Sequence, residues 1–313
     1  MATAASGSVL LLGDPSAFAA ALKTLVNNPQ FSNCQECILG MFSALLSWII
    51  ESGDVTFLVG KEKQKVFAHR CLLSTRCQTL HAMLSQPHET QDPLILNHVQ
   101  PEVFLAVLEY LYTNSVTLNS LTVLEVLTSS LEYGLNDLRK LCIGFIKDTL
   151  NVNQACEAFQ AAVAYGLLDL QKYCLAFIEI YTQEVTKTRG FLELSEQAMQ
   201  IILQSDYLVI DEVKLIHAVR EWAHVGSAVL DRTVNDMAQT VVPQLRLALL
   251  SPKELTSLEE ENKKDQMIPV ESFAEAWKTH ALWKRRGMRP SLCQRRRGTM
   301  PRAHHRYLDP QHK

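Results

Sequence analysis

The sequence predicts a mainly α-helical protein with a small mixed β-sheet: an α/β domain followed by an all-helical domain. Three observations predict it. Residues 54–60 (DVTFLVG) and 65–69 (KVFAH) are short alternating segments joined by a polar connection, the signature of a β-hairpin. From Ser120 to Trp283 the apolar residues recur at close to the helical period with short breaks. A chain of 313 residues, 47% of them hydrophobic, has room for two domains of about 150 residues, each with its own core.

The elements follow in order. Residues 1–14 read as a disordered N-terminus. Pro15 to Asn28 reads as an amphipathic helix, with Phe18, Leu22, Leu25 and Val26 on one face, stopped by Asn27-Asn28-Pro29. In the first strand Val55, Phe57 and Val59 share a face, opposite Thr56 and Leu58. Arg70 to Leu84 reads as one helix and Pro93 to Leu96 as a third short strand. Pro101 sits in the first turn of a helix whose stripe is Val103, Phe104, Val107, Leu108 and Leu111. Leu121 to Leu131 and Leu135 to Phe145 make the next two helices. Five more are expected near Asn153–Tyr165, Leu168–Tyr181, Ser195–Leu203, Asp211–His224 and Asp231–Val242, with Ser195 and Asp211 as N-caps. After Trp283 the periodicity vanishes, and residues 284–313 read as a basic disordered tail.

Charge and cysteine usage narrow the function classes. The tail holds ten Lys or Arg against Asp309, a net +9, which leaves −12 on the rest of a chain whose total is −3. An acidic body is a poor binder of polyanions, so nucleic acid is not expected as a partner. Cys71, Cys77, Cys142, Cys156 and Cys174 fall in apolar helical stretches rather than at paired spacings. They read as reduced core residues, which places the chain in the cytoplasm, the nucleus or both. No basic stretch precedes the short apolar run Val9–Leu12, so no signal peptide is expected. The apolar run Cys37–Ile50 would extend about 21 Å as a helix, short of the ~30 Å hydrocarbon core, so no membrane span is expected either.

Particular residues carry a resemblance. Asp54-Val55-Thr56-Phe57 followed by Phe67-Ala68-His69-Arg70, then Met83-Leu84, Phe104 and Leu108 to Thr113, resemble the ordered motifs of a BTB (POZ) domain. Asn151 to Cys156, Ala164 to Leu167, Phe191 to Ser195, Leu203 to Leu208, Val219 to Trp222, Leu245 to Pro252 and Ala276 to His280 resemble a BACK domain. The resemblance implies a BTB/POZ α/β domain over 15–149 and a helical BACK domain over 150–283. One departure stands out: 21 residues, Asn33 to Gly53, lie where the family has a short link. They read as an insertion from altered transcript processing, the alternative being an extra helix covering an apolar surface.

The resemblance also implies where partners bind. In the family the first helix packs on its symmetry mate, which assigns Phe18, Leu22, Leu25 and Val26 to a homodimer interface; the other reading has them covering their own domain. Asp54 and Arg70 match an acidic–basic pair near the dimer groove, and a structural pairing accounts for them without a ligand. Some relatives offer cullin-3 a hydrophobic-x-Glu motif after the third helix. Here Pro87, His88 and Glu89 occupy that place, with a proline in the hydrophobic slot and a loop one residue short. The implied function is a non-enzymatic adaptor, either a cullin-3 ubiquitin-ligase substrate adaptor or a ligase-independent scaffold or regulator. The protein substrate is not identified by the sequence.

Other chemistries find little support. Cys34-x-x-Cys37 has zinc-ligand spacing but no second pair at finger distance, so no metal is expected. No P-loop, GxGxxG, GxSxG or HExxH pattern is present, so neither a catalytic residue nor a cofactor is assigned. Lys284-Arg285-Arg286 and Arg295-Arg296-Arg297 suit a solvated arm or a nuclear import signal.

Overall fold

Where apolar side chains alternate, the chain pairs into strands. The computed structural model describes residues 9–14, 55–85, 93–282 and 290–308. It divides into two compact units, residues 1–149 and 150–313.

In the first unit, β1 (Val9–Leu12) is the first described element. β2 (Val55–Val59) and β3 (Gln64–Ala68) form the expected antiparallel hairpin, with Val55 opposite Ala68. Gly60, at φ 78°, begins the turn that joins them. The single helix expected over Arg70–Leu84 is two, α1 (Arg70–Arg76) and α2 (Gln78–Leu84). Cys77 between them is extended, and its sulfur accepts a bond from the Leu80 amide, so it caps the second helix. β4 (Leu94–Leu96) adds to β2 in parallel, completing a mixed three-stranded sheet.

α3 (Pro101–Thr113) then packs its apolar stripe onto that sheet. The rings of Phe57 and Phe104, both fully buried, lie 5.0 Å apart; each contributes roughly 2–3 kcal/mol by leaving water. β5 (Ser115–Leu118) follows directly, a strand that the helical pattern around it concealed. α4 (Val123–Glu132) and α5 (Asn136–Thr149) close the unit.

The expectation of disorder over residues 1–14 is corrected for the part described: β1 pairs antiparallel with β5, Val9 opposite Leu118 and Leu12 opposite Ser115. Asn114 pins its end. Held in the left-handed region at φ 57°, Asn114 accepts from the Gly13 amide at 2.6 Å and donates through its side chain to the Asp14 carbonyl at 2.8 Å. Asn tolerates that backbone better than most residues.

The second unit is helical throughout. α6 (Ala155–Ala164) and α7 (Leu168–Ile180) form a hairpin turned by Gly166 at φ 65°. The short α8 (Thr182–Val185) and α9 (Arg189–Leu192) lead to α10 (Glu196–Gln204), capped by the Ser195 hydroxyl as expected. α11 (Glu212–Leu230) is the central helix, and its buried Trp222 donates to the Leu194 carbonyl at 2.7 Å. It runs past the expected end at His224. Asp231 terminates it in the left-handed region, so the helix expected from Asp231 starts later, as α12 (Val234–Ala238).

Two short 3-10 turns, Val242–Gln244 and Leu247–Leu249, precede α13 (Pro252–Asp265), which opens on a Ser251–Glu254 capping box. α14 (Val270–Leu282) follows. The expectation of a disordered tail is corrected as well. Residues 290–308 carry two one-turn helices, α15 (Pro290–Cys293) and α16 (His305–Leu308), and bury Cys293, Arg296, Thr299, His304, His305 and Leu308.

Candidate interaction surfaces

On the first unit, the β1–β5 ribbon offers apolar side chains to solvent. Leu10 is 58% and Leu12 74% exposed, and Val9 is also exposed. Two strands alone leave unpaired edges, which folded proteins usually cover with another chain or element. The expected dimer residues Phe18, Leu22, Leu25, Val26 and Asp54, like the apparent insertion 33–53, lie outside the described residues. Arg70 is described and exposed; its guanidinium donates to the Leu84 carbonyl at 2.9 Å, tying the start of α1 to the end of α2.

Behind this, the His69 amide donates to the Tyr112 hydroxyl at 2.8 Å, so the His-Arg dipeptide is anchored to α3. Leu84 is buried, fixing the helix end from which the candidate cullin-3 loop departs. Pro87, His88 and Glu89 themselves lie outside the described residues.

The second unit holds an acidic groove that sequence reading missed. Asp206 and Asp211-Glu212 flank the entry to α11, and Glu254 stands in the first turn of α13. Arg246 bridges the floor, donating its amide to Glu212 at 2.8 Å and its guanidinium to Asp206. Residues 294–302 lie across these carboxylates. Arg296 and Glu212 pair at 3.0 Å with both side chains fully buried. The same guanidinium donates to the carbonyls of Leu203 at 2.6 Å, Ser205 and Gln244.

Arg302 is held at both carboxylates at once. It donates to Glu254 at 2.6 and 2.9 Å and to Asp211 at 3.1 and 2.9 Å. Asp211 occupies the N-cap position of α11 as expected, and its side chain is turned to accept from Arg302 and the Met300 amide.

The electrostatics follow from burial and pairing. Burial pulls the Arg296 guanidinium below its usual value, opposed by Glu212. For Asp211 and Glu254 burial works toward the neutral acid. The Arg302 bonds, with the Met300 amide at one and Ser251 at the other, outweigh it and hold both carboxyls below their usual range. Arg302 is correspondingly raised: the two carboxylates overcome its burial.

Three histidines gather at one end of the groove. The rings of His280 and His304 lie 4.4 Å apart, those of His304 and His305 4.6 Å. Their Nε2 atoms lie 2.9, 3.0 and 2.8 Å from three consecutive carbonyls, those of Leu250, Ala248 and Leu249 respectively. A carbonyl only accepts, so each Nε2 carries the proton. The Arg302 amide donates to His305 Nδ1 at 3.3 Å, which leaves that ring neutral. Burial lowers all three, His304 to about 4.

These contacts revise the basic-cluster reading. The middle residue of Arg295-Arg296-Arg297 is interior and committed to Glu212, so the cluster does not present three solvated arginines. A sequence signal existed in Gly298, whose backbone sits so close to Val209 and Ile210 that a Cβ would come within 2.1 Å of the Ile210 nitrogen. An isolated glycine among arginines reads as flexibility unless its neighbour across the groove is known.

Other features carry less. A cleft of about 660 Å³ is lined in part by Lys187, Lys214, His217 and Glu221. Its central Arg220 is matched by Glu261 at 2.7 Å and Asp265 at 3.0 Å. Among the described residues, six cysteines are buried, no cluster of three His, Cys, Asp or Glu could hold a metal, and no helix is long and apolar enough to cross a membrane. Burial pushes the Cys142 and Cys156 thiols up to about 12, which keeps them protonated.

Comparison with known proteins agrees with the two units. The BTB/POZ domain family model matches residues 49–150, and the model described as BTB And C-terminal Kelch (BACK) matches residues 155–260. The chain is 52% identical over 299 residues to BTB/POZ domain-containing protein 19 of Homo sapiens, covering 95% of this chain and 96% of that protein. The Bos taurus protein of the same name matches equally. BTB/POZ domain-containing protein 9 of Bos taurus is 32% identical over 217 residues, 66% of this chain and 34% of its own length.

Proposed function

The chain belongs to the BTB/POZ family whose members carry a BACK domain, and from that premise we propose a non-enzymatic adaptor that dimerises through its first unit. The observation that carries the reading is the β1–β5 ribbon, whose Leu10 and Leu12 side chains face solvent. A second copy placed by a two-fold axis would cover the same patch on both chains. Phe18, Leu22, Leu25 and Val26, close behind β1 in sequence, extend that interface.

Sedimentation velocity tests it. Wild-type chain should run as a dimer, and Leu10→Lys with Leu12→Lys should raise the dimer dissociation constant at least a hundredfold, because each lysine would have to be desolvated. A folded double variant that dimerises as tightly as wild type rules out this face.

We also propose that the loop after α2 docks on cullin-3. In this reading Glu89 makes the polar contact, Pro87 the small apolar one, and His88 spaces them. Titrating the cullin-3 N-terminal domain should show Glu89→Ala binding at least tenfold more weakly than wild type. The proline in the hydrophobic slot favours a second reading, a ligase-independent scaffold or a transcription- or cytoskeleton-associated regulator. A folded wild-type dimer that does not bind cullin-3 would select it. Reduced, buried cysteines suit a cytoplasmic or nuclear setting for either reading.

A further inference from the structure

The segment 294–302 is held in the second unit the way a peptide is held by a receptor. It contains no helix or strand of its own, lying between the one-turn helices α15 and α16. Apolar packing contributes little around it, since Cys293 and Leu308, at either side, are the buried apolar side chains of residues 292–308.

Recognition rests on directed polar contacts. The amides of Arg297 and Gly298 donate to the carbonyls of Asp206 and Leu208 at 2.8 and 2.9 Å, a short backbone addition to the loop between α10 and α11. A tight turn, in which the Arg296 amide donates to the Thr299 hydroxyl at 3.0 Å, aims Arg296 into a socket made by one carboxylate and three carbonyls. Gly298 is required by the 2.1 Å approach to Ile210. Arg302 is read bidentately by two further carboxylates.

We propose that this groove is a recognition site for protein segments of the pattern Arg-x-Gly-x-x-x-Arg, and that residues 296–302 are its resident, self-inhibiting occupant. The proposal rests on the adaptor reading and gives the adaptor its missing client class: a partner protein exposing an arginine–glycine segment. Charge complementarity selects that class. Arg246 offsets Asp206, so Asp211, Glu212 and Glu254 leave three uncompensated negative charges and the socket carbonyls accept only; an acidic or purely apolar segment is therefore disfavoured there. A tethered occupant acts at an effective concentration on the order of 1 mM. A client at 10 μM with the same intrinsic affinity would therefore hold only about 1% of intact chains.

The test uses the full chain with a specific protease site inserted between Arg286 and Gly287. Fluorescein-labelled peptide 290–308 is added at 10 μM before and after cutting, and polarisation is read to equilibrium. Uncut chain should show almost no binding, whereas cut and dialysed chain should bind the peptide, with Gly298→Ala and Arg296→Ala peptides at least a hundredfold weaker. An unrelated peptide keeping only the two arginines and the glycine should fall within tenfold of the native one.

Equal binding of the Gly298→Ala peptide would overturn the proposal. So would failure of labelled peptide to exchange into cut chain. Collapse of the near-ultraviolet signal of Trp222 once the cut segment is removed would do the same, because the segment would then be part of the fold rather than its ligand. None of these readouts involves dimerisation or cullin-3, so failure of the adaptor reading shows separately, in the sedimentation and titration experiments.

Discussion

Arg296→Ala is expected to lower the unfolding free energy of the second unit by about 3–5 kcal/mol, the usual consequence of stripping one partner from a buried ion pair. The size follows from what the substitution leaves behind. Glu212, with no exposed side-chain surface, would keep the Arg246 amide but lose the Arg296 guanidinium. The Leu203, Ser205 and Gln244 carbonyls would each lose a donor. Arg296→Lys restores a charge but cannot span four acceptors, so it should recover less than half of the loss. Urea unfolding followed by tryptophan fluorescence reads the effect in a Trp48→Phe background, because Trp222, Trp277 and Trp283 all lie beyond residue 149. A change below about 1 kcal/mol would show that Glu212 is paired or hydrated in some other way.

The second large effect is expected with pH. His280, His304 and His305 are all lowered by burial and all donate from Nε2 to carbonyls, so the folded unit prefers them neutral. Protonation would also set cations against one another and against Arg302. An unfolded chain takes up these protons near pH 6.5. Below that point the unfolded state binds more protons than the folded one, so stability falls as pH drops from about 6.5 toward the His304 value of about 4. Asp211 and Glu254, lowered by Arg302, lose their contribution only below the ordinary carboxylate range, a separate and more acidic step.

The melting temperature should accordingly fall by on the order of 5 °C between pH 7.5 and 5.0. His304→Gln with His305→Gln should remove at least half of that slope. An unaltered slope in the double variant would place the acid sensitivity elsewhere.

How much of this was legible in the sequence depends on how local each signal was. The β2–β3 hairpin, the stripe of α3 and the Ser195 cap announce themselves within a few residues, because alternation, helical spacing and capping are local physics. β5 was missed because Ser115–Leu118 is four residues long between strong helices, and its partner β1 lies about a hundred residues away. Cys77 broke an apparently continuous helix by a backbone extension that no propensity rule signals. The acidic groove was invisible for the same reason at greater range. Asp211-Glu212 read as helix-opening residues and Arg295-Arg296-Arg297 as a solvated arm, since charge runs are normally exposed. Only the fold brings the two together, and the buried partner turns an arm into an interior residue.

That long-range pairing has a consequence for the order of events during synthesis. Glu212 precedes Arg296 by 84 positions in the chain. At about 5–20 residues added per second, the carboxylate emerges and waits roughly 4–17 s before its arginine is even polymerised. Until then α11 begins beside an unmatched interior charge, and the nascent second unit must stay hydrated there. Drying of this carboxylate therefore waits on a segment made 84 positions later.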